Sequence, residues 1–205
     1  TFSGLFYDIF SAAAENLGLK VEWVAEIGLG DFPQALAIGR VDAYCTPLAQ
    51  VGSRARAVDF TDAVGYFPMF AFVRADDTRF NGDISKLNDP AVTISVMDGE
   101  MSAIVAAKIF PKAKTLQLVQ NASAADLLNN VVTKKADVTL NETSTLNEFL
   151  ERNPGTLVVL KGAPPVGVFG GGFTIAQGQE KFRQMLNWSL RELMTTGQLD
   201  ALYTK

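Results

Sequence analysis

In this sequence, the residue best suited to bind a small charged molecule is an arginine that lies just after a predicted strand. Arg54 lies in a predicted loop, residues 46–56. In open α/β sheets, ligands bind beyond the carboxyl ends of the strands. An arginine there holds a carboxylate through two parallel hydrogen bonds. The alternative is a surface ion pair between Arg54 and a nearby aspartate, Asp59 or Asp62.

A second polar pair, Asn141 and Glu142, follows another predicted strand at residues 137–140. The same strand-end rule makes both residues candidates for contact with a ligand. The alternative is structural. Glu142 would then be a negative charge at the start of the helix that begins near Thr143, where it favours the helix by a few tenths to about 1 kcal/mol.

A third candidate is the turn at Gly99, which leads into a helix predicted to begin at Ser102. The free N–H groups of a helix N-terminus attract anions, whereas Glu100 in the same turn would disfavour a second negative charge on the ligand. Ser102 is either a ligand contact or only a helix cap. Met97 and Met101 would add an adaptable apolar wall, or belong to the core.

The elements that must position these groups alternate between helix and strand. Phe32, Ala35, Leu36 and Ile38 recur at helical spacing, and Gly39 suits the positive φ of a helix end. The predicted strands are 21–24, 41–45, 69–73, 92–96, 115–119, 137–140, 156–160 and 173–176, and the predicted helices are 8–17, one starting at 32, 102–110, 124–133, 143–150, 180–196 and 199–203.

This alternation predicts an α/β fold with two lobes, each a mostly parallel sheet flanked by helices. Lobe 1 would comprise residues 1–76 and 172–205, and lobe 2 residues 77–171, with crossovers near 74–81 and 161–172. Two crossovers make a hinge, and the cleft between the lobes is then the natural pocket.

A short internal similarity supports two related lobes. Leu36-x-x-Gly-Arg-Val-Asp-Ala and Val131-x-x-Lys-Lys-Ala-Asp-Val share one layout: a helix, a cationic turn, an apolar residue, an aspartate and a strand. The match is too short to prove a duplication, but it indicates that both lobes use the same helix-turn-strand unit.

Composition narrows the classes of function. The 205 residues are 48% hydrophobic and 20% charged, which is enough for a packed core. A net charge of −4 without a basic stripe argues against nucleic acid as a partner. Histidine is absent, which removes the commonest general base and the histidine ligands of metals, so neither a metal nor a cofactor is expected. The single cysteine, Cys45, cannot form an internal disulfide and is expected to act as a small buried hydrophobe.

Two segments, Gly-Arg-Val-Asp-Ala at residues 39–43 and Arg-Ala-Arg-Ala-Val-Asp-Phe-Thr-Asp at residues 54–62, resemble the signature of the amino-acid-binding family of type II periplasmic solute-binding proteins. The resemblance extends over nearly the whole chain. It implies that Arg54, five residues before Asp59, binds a ligand carboxylate and that Glu142 binds the ligand ammonium. A cation and an anion so placed suit a zwitterion such as an α-amino acid.

The sequence departs from the family pattern at several of these positions. Ala49 stands where the family usually has a serine or threonine, so Thr46 or Ser53 would have to substitute for the missing hydroxyl. Leu29 stands where an aromatic residue often stacks on the ligand. The strand that normally precedes the first helix is not in the sequence, so it is either truncated or supplied elsewhere.

The resemblance implies a monomeric, non-enzymatic protein, periplasmic or extracellular and either free or lipid-anchored, that delivers an amino acid to the membrane permease of an ABC importer. Three alternatives stay open: the sensing domain of a receptor or kinase, a dehydratase acting on prephenate or arogenate with Glu142 as general acid, and a scaffold that has lost binding.

Overall fold

The protein divides into two compact units. The structure is a computed structural model that describes residues 2–24, 27–120 and 122–204. Unit 1 comprises Thr1–Tyr66 and Gly170–Lys205, and unit 2 comprises Phe67–Phe169. The predicted crossover at residues 74–81 therefore lies within unit 2, and the chain passes between the units once inside each of two strands.

Helices and strands alternate along most of the chain. In chain order they are α1 (Leu5–Asn16), α2 (Phe32–Ala37), β1 (Ala43–Ala49), β2 (Asp59–Phe60), β3 (Gly65–Arg74), β4 (Thr93–Met97), α3 (Met101–Ile109), β5 (Lys114–Leu118), α4 (Ala124–Val132), β6 (Val138–Asn141), α5 (Thr143–Arg152), β7 (Leu157–Val159), β8 (Gly167–Ile175), α6 (Glu180–Thr195) and α7 (Gln198–Tyr203). Short 3-10 turns lie at Arg54–Arg56 and Ile84–Leu87.

The core of unit 1 is formed where α1 and α6 pack on strand β8. Apolar residues at helical spacing bury one face of each helix, because only that face lies against the sheet. Ser189 of α6 joins the two helices by donating a hydrogen bond to the carbonyl of Ala13, at 2.7 Å. The buried residues of this core are Ile9, Phe10, Ala13, Val64, Phe173, Ile175, Leu186, Leu190, Leu193 and Leu199.

Unit 2 is organised around β4, which lies between β5 and β6 and is parallel to both. Four of the five residues of β4 are buried, as expected for a central strand covered on both faces. Helices α4 and α5 pack with β3, β6 and β7 around a second core: Phe72, Leu128, Val131, Ala136, Leu146, Phe149 and Leu157.

The predicted α/β class is confirmed, and the strand pairing is mixed. The expected parallel arrangement holds for β4–β5 and β4–β6. In contrast, β1 and β2 pair with β8, and β6 and β7 pair with β3, in antiparallel register. Within the described ranges, no helix is both long and apolar enough to span a membrane.

Two predicted strands of unit 1 differ from the structure. Residues 21–24 form no strand, because none of the described strands lies beside them to accept or donate backbone hydrogen bonds. The strand predicted at 41–45 begins at Ala43 and runs on to Ala49. Pairing with β8 sustains this extension, since Leu48 and Ala49 lie opposite Gly172 and Gly171.

The run of three glycines at 170–172 is part of strand β8. A Cβ atom at Gly172 would lie 2.8 Å from the carbonyl oxygen of Thr61, and one at Gly170 would lie 3.0 Å from the side-chain oxygen of Gln50. Glycine is therefore required at Gly172, where backbone lies in the way, whereas at Gly170 the side chain of Gln50 would have to shift.

Candidate ligand-binding site

Two glutamates stand at the carboxyl ends of neighbouring parallel strands in unit 2. Strands β4 and β6 are paired in parallel, so their carboxyl ends meet at one edge of the sheet. Glu100 is the N-cap residue of α3, which follows β4, and Glu142 is the N-cap residue of α5, which follows β6. The sheet therefore brings two carboxylates to one edge, where ligands of α/β proteins bind.

Glu142 is electrostatically unsatisfied in the structure. Burial of its half-buried carboxyl raises the pKa of Glu142, and the charge of Glu100 raises it further. Both effects disfavour the ionised form. A cationic group near the two carboxylates would offset both effects.

At the start of α5, the side chain that accepts hydrogen bonds is that of Asn141, and not that of Glu142. Asn141 Oδ1 accepts hydrogen bonds from the Glu142 backbone N–H at 2.8 Å and from the Thr145 hydroxyl at 3.4 Å. Glu142 itself makes no side-chain capping bond to the helix. These contacts argue against the structural alternative, in which Glu142 serves only to support the start of α5. They also indicate that Asn141 positions the backbone of Glu142.

The other candidates of unit 2 line the turn between β4 and α3. Gly99 has φ +72°, and a Cβ there would lie 2.9 Å from Gln120 Nε2, so glycine is needed at this turn. Ser102 is 2% exposed and its hydroxyl accepts a hydrogen bond from the Met97 N–H at 3.1 Å. Helix α3 begins at Met101, one residue before its predicted start, and its N-cap residue is Glu100, so the suggestion that Ser102 caps the helix is wrong. Met97 and Met101 are buried.

Arg54 lies in unit 1, in the 3-10 turn that follows β1. Its guanidinium Nη1 donates to the carbonyl of Ala49 at 3.3 Å, and the side chain is half-buried. This bond directs the arginine back towards the end of β1. The proposed surface partner Asp62 instead accepts from Asn187 at 2.9 Å and pairs with Arg191 at 2.7 Å.

Thr46 and Leu29 occupy different surroundings in unit 1. Thr46 is an exposed residue within β1, whereas the sequence predicted it in the loop beyond the strand. Leu29 is half-buried and packs on a small cluster that includes Phe32, Leu48 and Val58. Ala49 contributes its carbonyl to Arg54 and offers no hydroxyl.

Each unit thus carries some of the charged residues predicted to bind a ligand. Unit 1 contributes Arg54 with Ala49, and unit 2 contributes Glu142 with Asn141 and Glu100. The sequence analysis considered Glu100 only as a charge that disfavours anionic ligands. It missed that the charge of Glu100 raises the pKa of Glu142. The sequence did contain a signal for this, because Glu100 and Glu142 each lie at the start of a helix that follows a strand.

Comparisons with known proteins identify the family and the fold. The sequence model of the bacterial extracellular solute-binding proteins, family 3, matches residues 1–205. No curated protein sequence matches the chain.

Among solved structures, the ancestral amino acid-binding protein AncCDT-1, a precursor of cyclohexadienyl dehydratase, is 25% identical with a TM-score of 0.81, over 100% of this chain and 84% of that one. The substrate-binding protein of an amino acid ABC transporter is 25% identical with a TM-score of 0.79, over 97% of this chain and 85% of that one.

A histidine kinase sensor domain that resembles periplasmic binding proteins has the same fold, at 20% identity and a TM-score of 0.81, over 98% of this chain and 85% of that one. The fold is accordingly the type II periplasmic-binding-protein fold predicted from the sequence. The match over the full chain shows that the protein belongs to family 3 of the bacterial extracellular solute-binding proteins.

Proposed function

We propose that this protein binds an α-amino acid, with Glu142 receiving the ammonium group and Arg54 receiving the carboxylate. The observation that carries the proposal is the Glu142 carboxyl, half-buried, not engaged in capping its helix and destabilised by Glu100. A ligand ammonium would supply the missing opposite charge. Buried charges are stable only when they are paired and hydrogen-bonded.

Arg54 supplies the complementary charge. Its side chain is half-buried, and its guanidinium donates a hydrogen bond to the Ala49 carbonyl. The planar fork of arginine binds a carboxylate through two parallel hydrogen bonds. The carbonyl of Ala49 fixes the direction of the side chain and reduces the entropy lost on binding.

Delivery of the bound amino acid to the permease of an ABC importer is the role that family membership favours. The substrate-binding protein of an amino acid ABC transporter, at 25% identity, supports this role. Such a carrier works as a monomer in the periplasm or outside the cell. A sensory role is the alternative, because a histidine kinase sensor domain shares the fold.

An enzymatic role is the second candidate, and the raised pKa of Glu142 is the observation that favours it. A carboxyl whose pKa is raised is better suited to act as a general acid, as an acid-dependent dehydration would require. We favour binding, because the chain belongs to a family of solute-binding proteins and a substrate-binding protein of an amino acid ABC transporter is 25% identical to it.

The experiment is a thermal-shift screen against the common amino acids and prephenate, followed by calorimetry with variants. An amino acid at about 100 times its Kd should add roughly 2.7 kcal/mol to the free energy of unfolding, and this raises Tm by about 5 to 11 °C. Glu142→Gln and Arg54→Lys should each weaken binding by roughly 30-fold or more.

Two matched controls separate the site from general charge effects. Arg56→Lys changes an exposed arginine in the same 3-10 turn, and Glu148→Gln changes an exposed glutamate on α5, so both should bind as the unaltered protein does. Unchanged affinity in Glu142→Gln and Arg54→Lys would refute the site. Turnover of prephenate, abolished by Glu142→Gln, would establish the enzymatic alternative.

A further inference from the structure

Unit 2 places many of its basic residues at the amino edge of its parallel strands, opposite to Glu142. They lie at or before the starts of β5 and β6, or beside Asp137 at the start of β6: Arg74, Arg79, Lys112, Lys114, Lys134 and Lys135. Acidic residues of this edge are paired with them, since Asp77 and Asp137 form ion pairs with Arg74 and Arg79 at 2.5 to 3.6 Å. The negative charges of Asp77 and Asp137 are therefore neutralised within the protein.

The carboxyl edge has a different charge distribution. Four carboxylates follow β4, β5 or β6 in the chain: Asp98, Glu100, Asp126 and Glu142. Two of them accept hydrogen bonds from neighbouring side chains or backbone. Asp98 Oδ1 accepts from Gln117 Nε2 at 3.0 Å, and Asp126 Oδ2 accepts from the backbone N–H of Ser123 at 2.9 Å. None of these partners carries a positive charge, so the edge as a whole attracts cations.

Glu100 and Glu142 differ from the other two carboxylates. Neither side chain makes a capping hydrogen bond, and among the described residues no lysine or arginine forms an ion pair with either. An acidic residue that serves its helix resembles Asp126, which exchanges hydrogen bonds with Ser123 in a capping box. Support of the helix N-termini therefore accounts for Asp126 and leaves the glutamate pair unexplained.

A single ammonium group on the ligand would match only one of the two glutamates. In the proposed function, Glu142 receives the ammonium group of an α-amino acid. Glu100 is half-buried, and its charge reaches the same place, because it raises the pKa of the Glu142 carboxyl. A half-buried charge is most stable when it is paired. A second positive charge on the ligand would pair with Glu100, whereas a neutral side chain would leave this charge unmatched.

We propose that Glu100 is a specificity-determining residue, and that it selects amino acids whose side chain carries an ammonium or guanidinium group. This inference rests on the proposed function, because it requires Glu142 to hold the α-ammonium group. It narrows the ligand from α-amino acids in general to basic ones. The negative carboxyl edge would also speed the encounter with such a ligand, since a field of one sign concentrates ions of the opposite sign.

A metal ion is the other cationic occupant that two carboxylates suggest. Calcium takes six to eight oxygen ligands, and magnesium requires nearly octahedral coordination. Within the ranges that the structure describes, no group of three or more acidic, cysteine or histidine side chains could hold a metal ion. Two carboxylates are few for a metal, whereas each of them can bind one ammonium or guanidinium group. The pair therefore fits an organic ligand with two positive groups.

Calorimetry with matched pairs of ligands measures the contribution of the side-chain charge. Norleucine lacks the terminal ammonium group of lysine, and citrulline carries a neutral group in place of the guanidinium group of arginine. Lysine or arginine should bind roughly tenfold or more tightly than its neutral counterpart. The preference should decrease as salt is added, because salt screens partly exposed charges.

A pair of glutamate variants assigns the preference to Glu100. Glu100→Gln should remove most of the preference for the charged ligand and leave the affinity for its neutral counterpart unchanged or higher. Glu151→Gln, at an exposed glutamate in the last turn of α5, should keep the full preference. Retained binding of norleucine or citrulline by Glu100→Gln would show that this variant is folded and that its α-amino-acid site is intact.

Cadaverine, which is lysine without its carboxylate, separates this inference from the proposed function. Three results would overturn the role of Glu100 while the α-amino-acid site stands: equal affinities within both ligand pairs, a preference that Glu100→Gln does not change, or competition of calcium chloride with lysine. Cadaverine that binds as tightly as lysine would refute the carboxylate contact of Arg54 and leave the selection by Glu100 in place. Failure of all these ligands to bind a sample that unfolds cooperatively would overturn both proposals.

Discussion

At the scale of single residues, Glu142 shows a conflict between stability and binding. Its burial beside Glu100 disfavours the charged carboxylate, so the protein gives up stability to keep a negative charge at this position. Residues placed for binding often impose such a cost, and their replacement stabilises the protein while function is lost. The structural alternative, a charge that supports α5, predicts the opposite sign.

Because the binding role and the helix-supporting role of Glu142 predict opposite effects on stability, the pH dependence of the free energy of unfolding can distinguish them. The pKa of Glu142 is raised in the folded state, so its contribution to stability is fully present below the unfolded pKa and is lost as pH rises through the folded pKa. Glu142→Gln should therefore unfold at higher urea concentration than the unaltered protein at pH 7, with little difference at pH 4.

Urea unfolding at the two pH values, with Glu148→Gln as the control on the same helix, measures the effect. Destabilisation by Glu142→Gln at pH 7 would show that its carboxylate serves the helix. Glu100→Gln provides an independent check, because removal of the neighbouring charge should lower the pKa of Glu142 in an NMR titration.

The two charged centres were predictable from sequence, and their local contacts were not. Arg54 and Glu142 are marked by their spacing after strands, which fixes position along the chain. The bond from Arg54 to the Ala49 carbonyl and the influence of Glu100 on Glu142 depend on three-dimensional neighbours. The same is true of Ser102, whose hydroxyl is buried in unit 2 and accepts a hydrogen bond from the Met97 N–H.

At the scale of elements, the internal similarity seen in the sequence corresponds to one backbone geometry used twice. Gly39 and Lys134, the matched turn residues, both have left-handed φ, +68° and +61°. The residues two positions later also match, since Val41 N–H bonds to the Ala35 carbonyl and Ala136 N–H to that of Asn130. Only the first turn has the glycine that this conformation favours.

This mismatch gives a prediction about stability. A non-glycine residue in the left-handed region costs roughly 1 to 2 kcal/mol, and glycine costs about 0.5 to 1 kcal/mol in unfolded-chain entropy. Lys134→Gly should therefore stabilise the protein by about 0.5 to 1 kcal/mol. Lys135→Gly, the adjacent exposed control, should destabilise it, because no positive φ is relieved there.

The reciprocal change tests the same principle in unit 1. Gly39→Ala should cost about 0.5 to 1 kcal/mol, the same balance of backbone terms with the opposite sign, since no atom lies within 4 Å of the added Cβ. Thermal or urea unfolding measures both variants. Equal stabilities for Lys134→Gly and Lys135→Gly would refute the geometric account.

Element ends that depend on a local pattern were more predictable than ends that depend on strand pairing. The periodicity of α4 and α6 is local and places their ends within one residue of prediction. A strand depends on a partner distant in sequence, so β1 extends beyond its apolar pattern where β8 lies alongside. Residues 21–24 have the strand pattern and no described partner, and they form no strand.

At the scale of the whole molecule, the two units differ in how completely their strands are paired. In unit 2, β4 has a parallel partner on each side and is almost fully buried. In unit 1, β1 has one described partner and borders a cavity of about 1000 Å³. Local stability follows backbone pairing and buried apolar contacts, so the units should open with different free energies.

Native-state hydrogen exchange provides the measurement. Amides of β4 should exchange only through the largest openings, whereas amides of β1 should exchange faster, by roughly tenfold for each 1.4 kcal/mol of difference in opening free energy. Equal protection of β1 and β4 in the unaltered protein would mean that the β1 edge is already satisfied, and that the two units unfold together as one cooperative structure.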